Sequence, residues 1–345
     1  MLPNKQDLVN QYLTSLKQEF DLRNQIENPL TIYFGGGTPS LLPPETIGEI
    51  LSWIPHTKQI EITLEVNPEN ATLALMKQFA LVGITRVSLG VQSLDDHLLV
   101  ELSRRHDALK ALSAIESTFE AGIENISIDL MYDLPSQTLS SWSRTLDRIE
   151  NLPIKHLSLY NLTIEPHTPY YKRREELGAH LPPQEESLAM LKEAVLRLEA
   201  YGLERYEISA FARPGYESCH NSGYWKGRPF TGYGPSAFSY LEGKRSRNVA
   251  NLNKYTKLLN AGILPTDFEE ELSPSAKVKE LLAVRLRLKA GAPLSEFLLP
   301  QETLEAIDRL IQSQLLVLEG DFLKLTEQGM LFYDTVAEEL IEEVN

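Results

Sequence analysis

Gly35-Gly36-Gly37-Thr38-Pro39-Ser40 directly follows the β-rich run Leu30–Phe34. Glycines carry no Cβ, so their backbone amides approach a ligand closely and donate to a carboxylate or a phosphate. The run is neither GxGxxG nor GxxxxGKS/T, so it names no nucleotide loop. A tight turn explains it as well as a ligand cradle does. Four further β-rich runs end on polar side chains: Glu65, Asn67 and Glu69; Gln92, with Arg104 farther on; Asp129; and Asn161, Thr163 and Glu165. Reactive groups of parallel α/β barrels gather at the carboxyl ends of the strands. Five such ends would build one shared pocket, although strand-to-helix loops taken singly are polar for solvation alone.

His220-Asn221-Ser222-Gly223-Tyr224-Trp225 sets an imidazole, an amide and two large aromatic rings within one short run. Imidazole ligates haem iron, and flat rings pack on a macrocycle. A packed aromatic turn is the plain alternative. The other histidines, His56, His97, His106, His156, His167 and His180, form no short metal-binding spacing. Cys219 is either an axial thiolate or a small apolar residue, the second being simpler. It is the chain's one cysteine. That excludes an internal disulfide, a CxxC zinc site and a cluster held by three or four thiolates, and it suits a cytoplasmic protein.

The elements that must position these groups follow from periodicity. Strands are expected to start near residues 31, 60, 86, 125 and 156. Between them lie helices after Pro43-Pro44, from about Thr72 to Leu81, from about Asp107 to Ala121 and from Leu139 to Ile149, and Glu185 to Tyr201 reads as a long helix after Pro182-Pro183. A strand every ~30 residues is the βα unit, and repeated units imply a parallel sheet, a barrel or an open doubly wound one. Before them, Leu8, Val9, Tyr12, Leu13, Leu16 and Phe20 form a helical face. Arg213 to Arg247 reads as loops, and from Ser273 helices dominate, with a hairpin over Leu315–Leu325 turning on Gly320-Asp321. The formal charge of −15 argues against a nucleic-acid or anionic-membrane partner. There is no signal peptide, and the longest uncharged stretch, Asn28–Pro44, holds too many Gly and Pro for a membrane span.

Six runs in order carry a resemblance: IYFGGGTPSLL (32–42), EVNPE (65–69), RVSLGVQS (86–93), DLMYDLPSQT (129–138), LYNLTIEPHTPYY (159–171) and YEISAFARPGYESCHNSGYW (206–225). Together they closely resemble the radical SAM proteins of the HemW type, haem chaperones related to oxygen-independent coproporphyrinogen III oxidase. The resemblance covers essentially the whole chain. It implies an α/β fold: a partial (βα)6 TIM-like radical SAM barrel, here without its first strand, plus a small, mainly helical C-terminal domain. The implied segments are 1–212 for the barrel, 213–272 for a connection carrying HNSGYW and 273–345 for the C-terminal helical or winged module.

By this resemblance, S-adenosylmethionine would meet Gly36, Gly37 and Thr38 at its methionine end, and Glu65, Gln92, Arg104 and Asp129 along the rest. Haem would meet His220, Asn221, Tyr224 and Trp225, with His220 the candidate iron ligand and Cys219 the other option. The family holds a 4Fe–4S cluster through a CxxxCxxC loop, which it places just before the segment that begins here near Met1. Truncation and natural loss of that loop both remain open. These residues are expected neither to hold the cluster nor to make the 5′-deoxyadenosyl radical, and no catalytic residue is assigned. Asp133 stands where the family commonly has Gly, and Phe238 where it often has His. The implied function is to bind haem and deliver it to acceptor proteins, including respiratory, membrane-associated ones. The alternative is oxidative decarboxylation of coproporphyrinogen III to protoporphyrinogen IX, in porphyrin biosynthesis. A third reading, independent of the resemblance, makes Glu65 and Asp129 the acid and base of an ordinary barrel enzyme. A monomer and a homodimer fit the sequence equally.

Overall fold

Polar and apolar residues alternate along each β-rich run, as in Arg86-Val87-Ser88-Leu89 and Asn125-Ile126-Ser127-Ile128-Asp129-Leu130. A parallel sheet covered by helices on both faces reads instead as a nearly continuous apolar run. Strict alternation therefore puts one apolar and one polar face on the same sheet. The computed structural model, which describes residues 5–23, 28–57, 59–164, 169–241 and 243–341, has this arrangement. Strands β1 (Thr31–Phe34), β2 (Glu61–Val66), β3 (Arg86–Gln92), β4 (Asn125–Tyr132), β5 (His156–Asn161), β6 (Glu204–Arg205) and β7 (Ala210–Ala212) form one sheet in the order β1-β2-β3-β4-β5-β7-β6. The first five run parallel, and β7 and β6 close the far edge antiparallel.

The chain divides into two compact units, Asn28–His220 and Met1–Glu27 with Asn221–Asn345; the division falls inside the helix Cys219–Trp225. In the first unit, Leu64, Leu89, Ile128 and Leu157 of the apolar face form a core with Ile47, Phe79, Ile115, Trp142 and Leu198 from five covering helices. These are Pro44–Trp53, Leu73–Leu81, Ala108–Glu120, Leu139–Ile149 and Gln184–Ala200. Each of three starts behind a residue that caps it: Thr72, Asp107 and Thr138 accept from backbone N–H groups of the first turn. Every expected strand and helix of this unit is present within a residue or two of its expected bounds.

In the second unit the helix Lys5–Arg23 packs beside Leu252–Asn260, with Ser15 Oγ donating to Thr256 Oγ1 at 2.8 Å. Strands β8 (Phe238–Leu241), β9 (Lys244–Asn248) and β10 (Thr266–Glu271) form an antiparallel sheet in the order β10-β9-β8. This corrects the expectation that Arg213–Arg247 is all loop, because the helix Cys219–Trp225, β8 and β9 lie within it. The physical reason is that β9 and β10 pair charges instead of alternating apolar residues. Arg245 meets Glu270 at 3.0 Å, Arg247 meets Asp267 at 3.1 Å and Lys244 meets Glu271 at 3.5 Å. Farther on, β11 (Ala292–Pro293), β12 (Leu316–Glu319) and β13 (Phe322–Leu325) make a small sheet whose β12–β13 hairpin turns on Gly320-Asp321 as expected. Helices Pro274–Arg285, Gln301–Gln312 and Tyr333–Ile341 accompany it. Among the described residues, no helix is long and apolar enough to cross a membrane.

Candidate functional site on the polar face of the sheet

The glycine turn is tied to the strands by one carboxylate. Tyr33 O–H donates to Glu65 Oε1 at 2.8 Å, and Gly36 N–H donates to Glu65 Oε2 at 3.2 Å. Gly36 has φ +105°, which L side chains rarely adopt, and Cβ atoms added at Gly36 or Gly37 would meet nothing within 4 Å. At Gly35 a Cβ would fall 2.6 Å from Tyr33 Cε1, so a side chain there would push the Tyr33 ring aside. Gly36 and Gly37 thus border open space. Thr38 Oγ1 accepts from Asn67 Nδ2 at 3.2 Å. A Cβ at Gly90 would lie 3.1 Å from Gln92 Nε2 and 3.6 Å from Asn67 Oδ1, so both side chains border Gly90. Gln92 itself follows an irregularity in the β3–β4 register and has φ +66°, the kind of local break that re-aims a side chain.

Asp129 accepts from Ser88 Oγ at 3.4 Å. Burial raises its carboxyl from the ordinary 3.8 to about 6, against the lowering effects of the Ser158 hydrogen bond and the Arg86 charge. The fold therefore favours the protonated form. Relief from the ionisation cost is complete below pH 3.8 and lost as pH rises through about 6. A rise of that size is worth about 3 kcal/mol. Asp129→Asn is accordingly expected to raise the unfolding free energy at pH 7 by about 1–3 kcal/mol and to leave it unchanged at pH 3.5. Urea unfolding at the two pH values checks this, and an equal effect at both would refute it.

Arg104 is exposed after the helix Asp96–Glu101, and no side-chain partner among the described residues joins it to the others. Glu69 Oε2 lies 3.4 Å from Nδ1 of the buried His106. Asn161 and Thr163 are exposed, while Glu165 and His167 lie outside the described residues. Asp133 sits at φ +61°, the left-handed conformation that favours glycine, and its Oδ1 accepts from Ser187 Oγ at 2.6 Å. Phe238 is exposed, with the Arg247 guanidinium 5.8 Å from its ring.

The amino-terminal half of the same polar face holds His220. Its Nδ1 is 2.8 Å from Thr31 Oγ1, and its ring stacks on Tyr33 with centroids 4.7 Å apart. Glu61 accepts from the backbone N–H groups of Cys219 at 3.1 Å and His220 at 2.9 Å. Beside them, the buried His156 bridges Ser127 Oγ (2.8 Å) and the Tyr206 hydroxyl (2.9 Å), and that hydroxyl accepts from Ser218 N–H at 3.3 Å. Burial, with the nearby Arg86 charge, lowers the His156 pKa well below its ordinary value, so the ring is neutral at pH 7. Cys219 is exposed and in no disulfide. The remaining motif residues belong to the other unit: Asn221 is half-buried, Tyr224 meets Phe230 edge-on at 4.6 Å, and Trp225 lies under the Arg287 guanidinium at 4.3 Å.

Three separate contacts thus gather these residues: Glu65 holds Tyr33 and Gly36, Asn67 holds Thr38, and Ser88 holds Asp129, while Gln92 borders Gly90 beside Asn67. Tyr33, Glu61, Arg86, Ser88 and His156 lie within strands, where alternation along β1 to β5 is the available signal, and Tyr206 lies outside any strand, with no local signal. Open glycines, backbone amides and flanking carboxylates fit the amino-acid end of S-adenosylmethionine. A 4Fe–4S cluster does not fit: the 345 residues hold one cysteine, and no three or more metal-binding side chains converge among the described residues.

Residues 13–149 match the Radical SAM superfamily, and residues 272–332 match the HemN C-terminal domain. The chain is 33% identical over 299 residues to "Heme chaperone HemW" of Bacillus subtilis, covering 84% of this chain and 78% of that protein. It is 32% identical over 351 residues to "Heme chaperone HemW" of Lactococcus lactis, covering 98% and 91%. The chain belongs to the HemW-type radical SAM family. The HemW-type fold extends to a solved structure, coproporphyrinogen III oxidase (HemN) from Escherichia coli. It matches with a TM-score of 0.84 over 99% of this chain and 85% of that one, at 22% identity, a likeness of fold. The mostly parallel sheet and the helical C-terminal region are thus those of a radical SAM protein of the HemW type.

Proposed function

We propose that this chain binds haem through His220 and delivers it to an acceptor protein. The observation that carries the reading is the fixed imidazole: Thr31 holds Nδ1, Tyr33 stacks on the ring and Glu61 clamps the backbone. A histidine that ligates a metal is oriented in this way by groups around its other ring nitrogen. Asn221, Tyr224 and Trp225 are carried as haem contacts on the strength of the HNSGYW motif. The S-adenosylmethionine site comprises Gly36, Gly37, Thr38, Glu65, Gln92, Arg104 and Asp129. There the glycine turn borders the cofactor's amino-acid end, while Glu65 and Asp129 accept from its ammonium and hydroxyl groups. In the family that cofactor, with a thiolate-held cluster, supplies a carbon radical. These 345 residues do not provide the thiolates, so nothing in the site favours the coproporphyrinogen oxidase reaction.

Segments 1–212, 213–272 and 273–345 serve in this reading as cofactor half, motif-bearing connection and C-terminal module. The acceptor is a haem protein, respiratory and membrane-associated ones included, met from the cytoplasm by a monomer or homodimer, and nucleic acid is no partner. Haem titration followed in the Soret band tests the reading. The parent is expected to shift the band, and His220→Ala to weaken binding at least about tenfold. No shift with the parent removes the reading. Retention by His220→Ala with loss in Cys219→Ser would move the ligand to the thiolate.

A further inference from the structure

We propose that Arg86 receives a carboxylate of the bound ligand on the polar face of the sheet. Arg86 opens β3, and alternation along that strand turns it away from the covering helices. It is 2% exposed, yet no hydrogen bond or ion pair joins its guanidinium to any described residue, and its Nε is a buried donor without a partner. Arginine at such a depth is ordinarily forked by a carboxylate through two parallel hydrogen bonds. The carboxylates that share its face are committed elsewhere, Glu61 to the Cys219 and His220 amides. Glu65 serves Tyr33 and the Gly36 amide, and Asp129 serves Ser88 and Ser158. Arg86 charge reaches Tyr33, Asp129, His156 and Tyr206, so the guanidinium stands among groups rich in hydrogen-bond donors. Among the described residues, none of the carboxylates of this neighbourhood, the buried Glu207 included, forks the guanidinium.

A carboxylate suits the guanidinium better than a phosphate. It is planar and singly charged, matching the guanidinium fork, whereas a dianion would sit on the same face as Glu65 and Asp129. Position points to a ligand that also reaches His220. Thr63 is the Cα partner of both Tyr33 and Arg86, so the three stand in one row across β1, β2 and β3. At the usual strand spacing Arg86 is about 10 Å from Tyr33, whose ring carries His220. Two sources offer the chemistry: a propionate of a tetrapyrrole, or the amino-acid carboxylate of S-adenosylmethionine. The inference rests on the functional reading above, since one of these ligands must bind.

The test pairs each ligand with an analogue that lacks only the carboxylate charge. The full chain is titrated with haem and with haem dimethyl ester in the Soret band, and calorimetrically with S-adenosylmethionine and its decarboxylated analogue. The parent is expected to prefer the acid of one pair at least about tenfold, and Arg86→Met to erase that preference while binding the neutral analogue as the parent does. A preference in the haem pair assigns the propionate, and one in the other pair assigns the cofactor. Equal binding of acid and neutral forms by the parent overturns the inference, as does full preference retained in Arg86→Met. Arg86→Lys keeps the charge without the fork and is expected to retain only part of the preference. It serves where the methionine variant does not fold, and full retention there also overturns the bidentate contact. If the parent binds neither haem nor S-adenosylmethionine, the functional reading itself falls.

Discussion

Glu19→Ala is expected to destabilise the unit formed by Met1–Glu27 and Asn221–Asn345 by about 3–5 kcal/mol, the usual cost of breaking a buried, hydrogen-bonded ion pair. The Glu19 carboxylate is fully buried and accepts four hydrogen bonds. They come from Arg23 Nε, Gly234 N–H and Asn248 Nδ2, each at 2.8 Å, and from the Tyr255 hydroxyl at 2.5 Å. Burial and the Glu19 charge both push the Tyr255 phenol up, so it stays a donor at any ordinary pH. Truncation would strand a nearly buried guanidinium together with three buried donors. Glu19→Gln keeps the volume but presents an NH2 group to a ring of donors, and is expected to recover less than half of the loss. Urea unfolding followed by circular dichroism measures both, with m unchanged if the denatured state is unaltered. A loss below about 1 kcal/mol for Glu19→Ala would show that the cluster contributes little net stability.

Trp142→Ala should be about as damaging in the other unit, at about 3–5 kcal/mol. The indole is fully buried between the sheet and the helix Gln184–Ala200, and its Nε1–H donates to Met190 O at 2.8 Å. Its loss leaves a large cavity and removes the indole hydrogen bond, while the Met190 carbonyl keeps its donor within the helix. Trp142→Phe fills most of the volume and should cost about 1–2 kcal/mol, for the remaining void and the lost indole hydrogen bond. Hydrogen exchange of the β4 amides reads the effect locally, because that strand lies under the indole. Unchanged protection there in Trp142→Ala would contradict the assignment.

What the sequence made legible was whatever repeats locally. The five parallel strands, the helices between them and the hairpin at Gly320-Asp321 are each set within a few residues. The charged ladder of β9 and β10 was not legible, because Lys244, Arg245 and Arg247 read as solvated loop until Glu271, Glu270 and Asp267 stand opposite. In the candidate site, Gly36, Glu65 and Asp129 were visible as strand-end residues. The clamp of Glu61 on Cys219 and His220 joins positions more than 150 residues apart and leaves no trace in local spacing. Arg104 went the other way: its place followed from resemblance, and its exposed side chain makes no link to the group.

The pairing of Glu19 with Gly234, Asn248 and Tyr255 also sets a timetable for synthesis. The helix Lys5–Arg23 leaves the ribosome 215 to 236 residues ahead of these partners. At about 5–20 residues per second, it waits roughly 10–50 s with its carboxylate in water. Meanwhile every residue of the Asn28–His220 unit has been made. Co-translational folding therefore begins with the interior of the chain and ends when the first helix is reclaimed by the last third. Ribosome-bound chains halted before residue 234 would hold that helix open to proteases and chaperones.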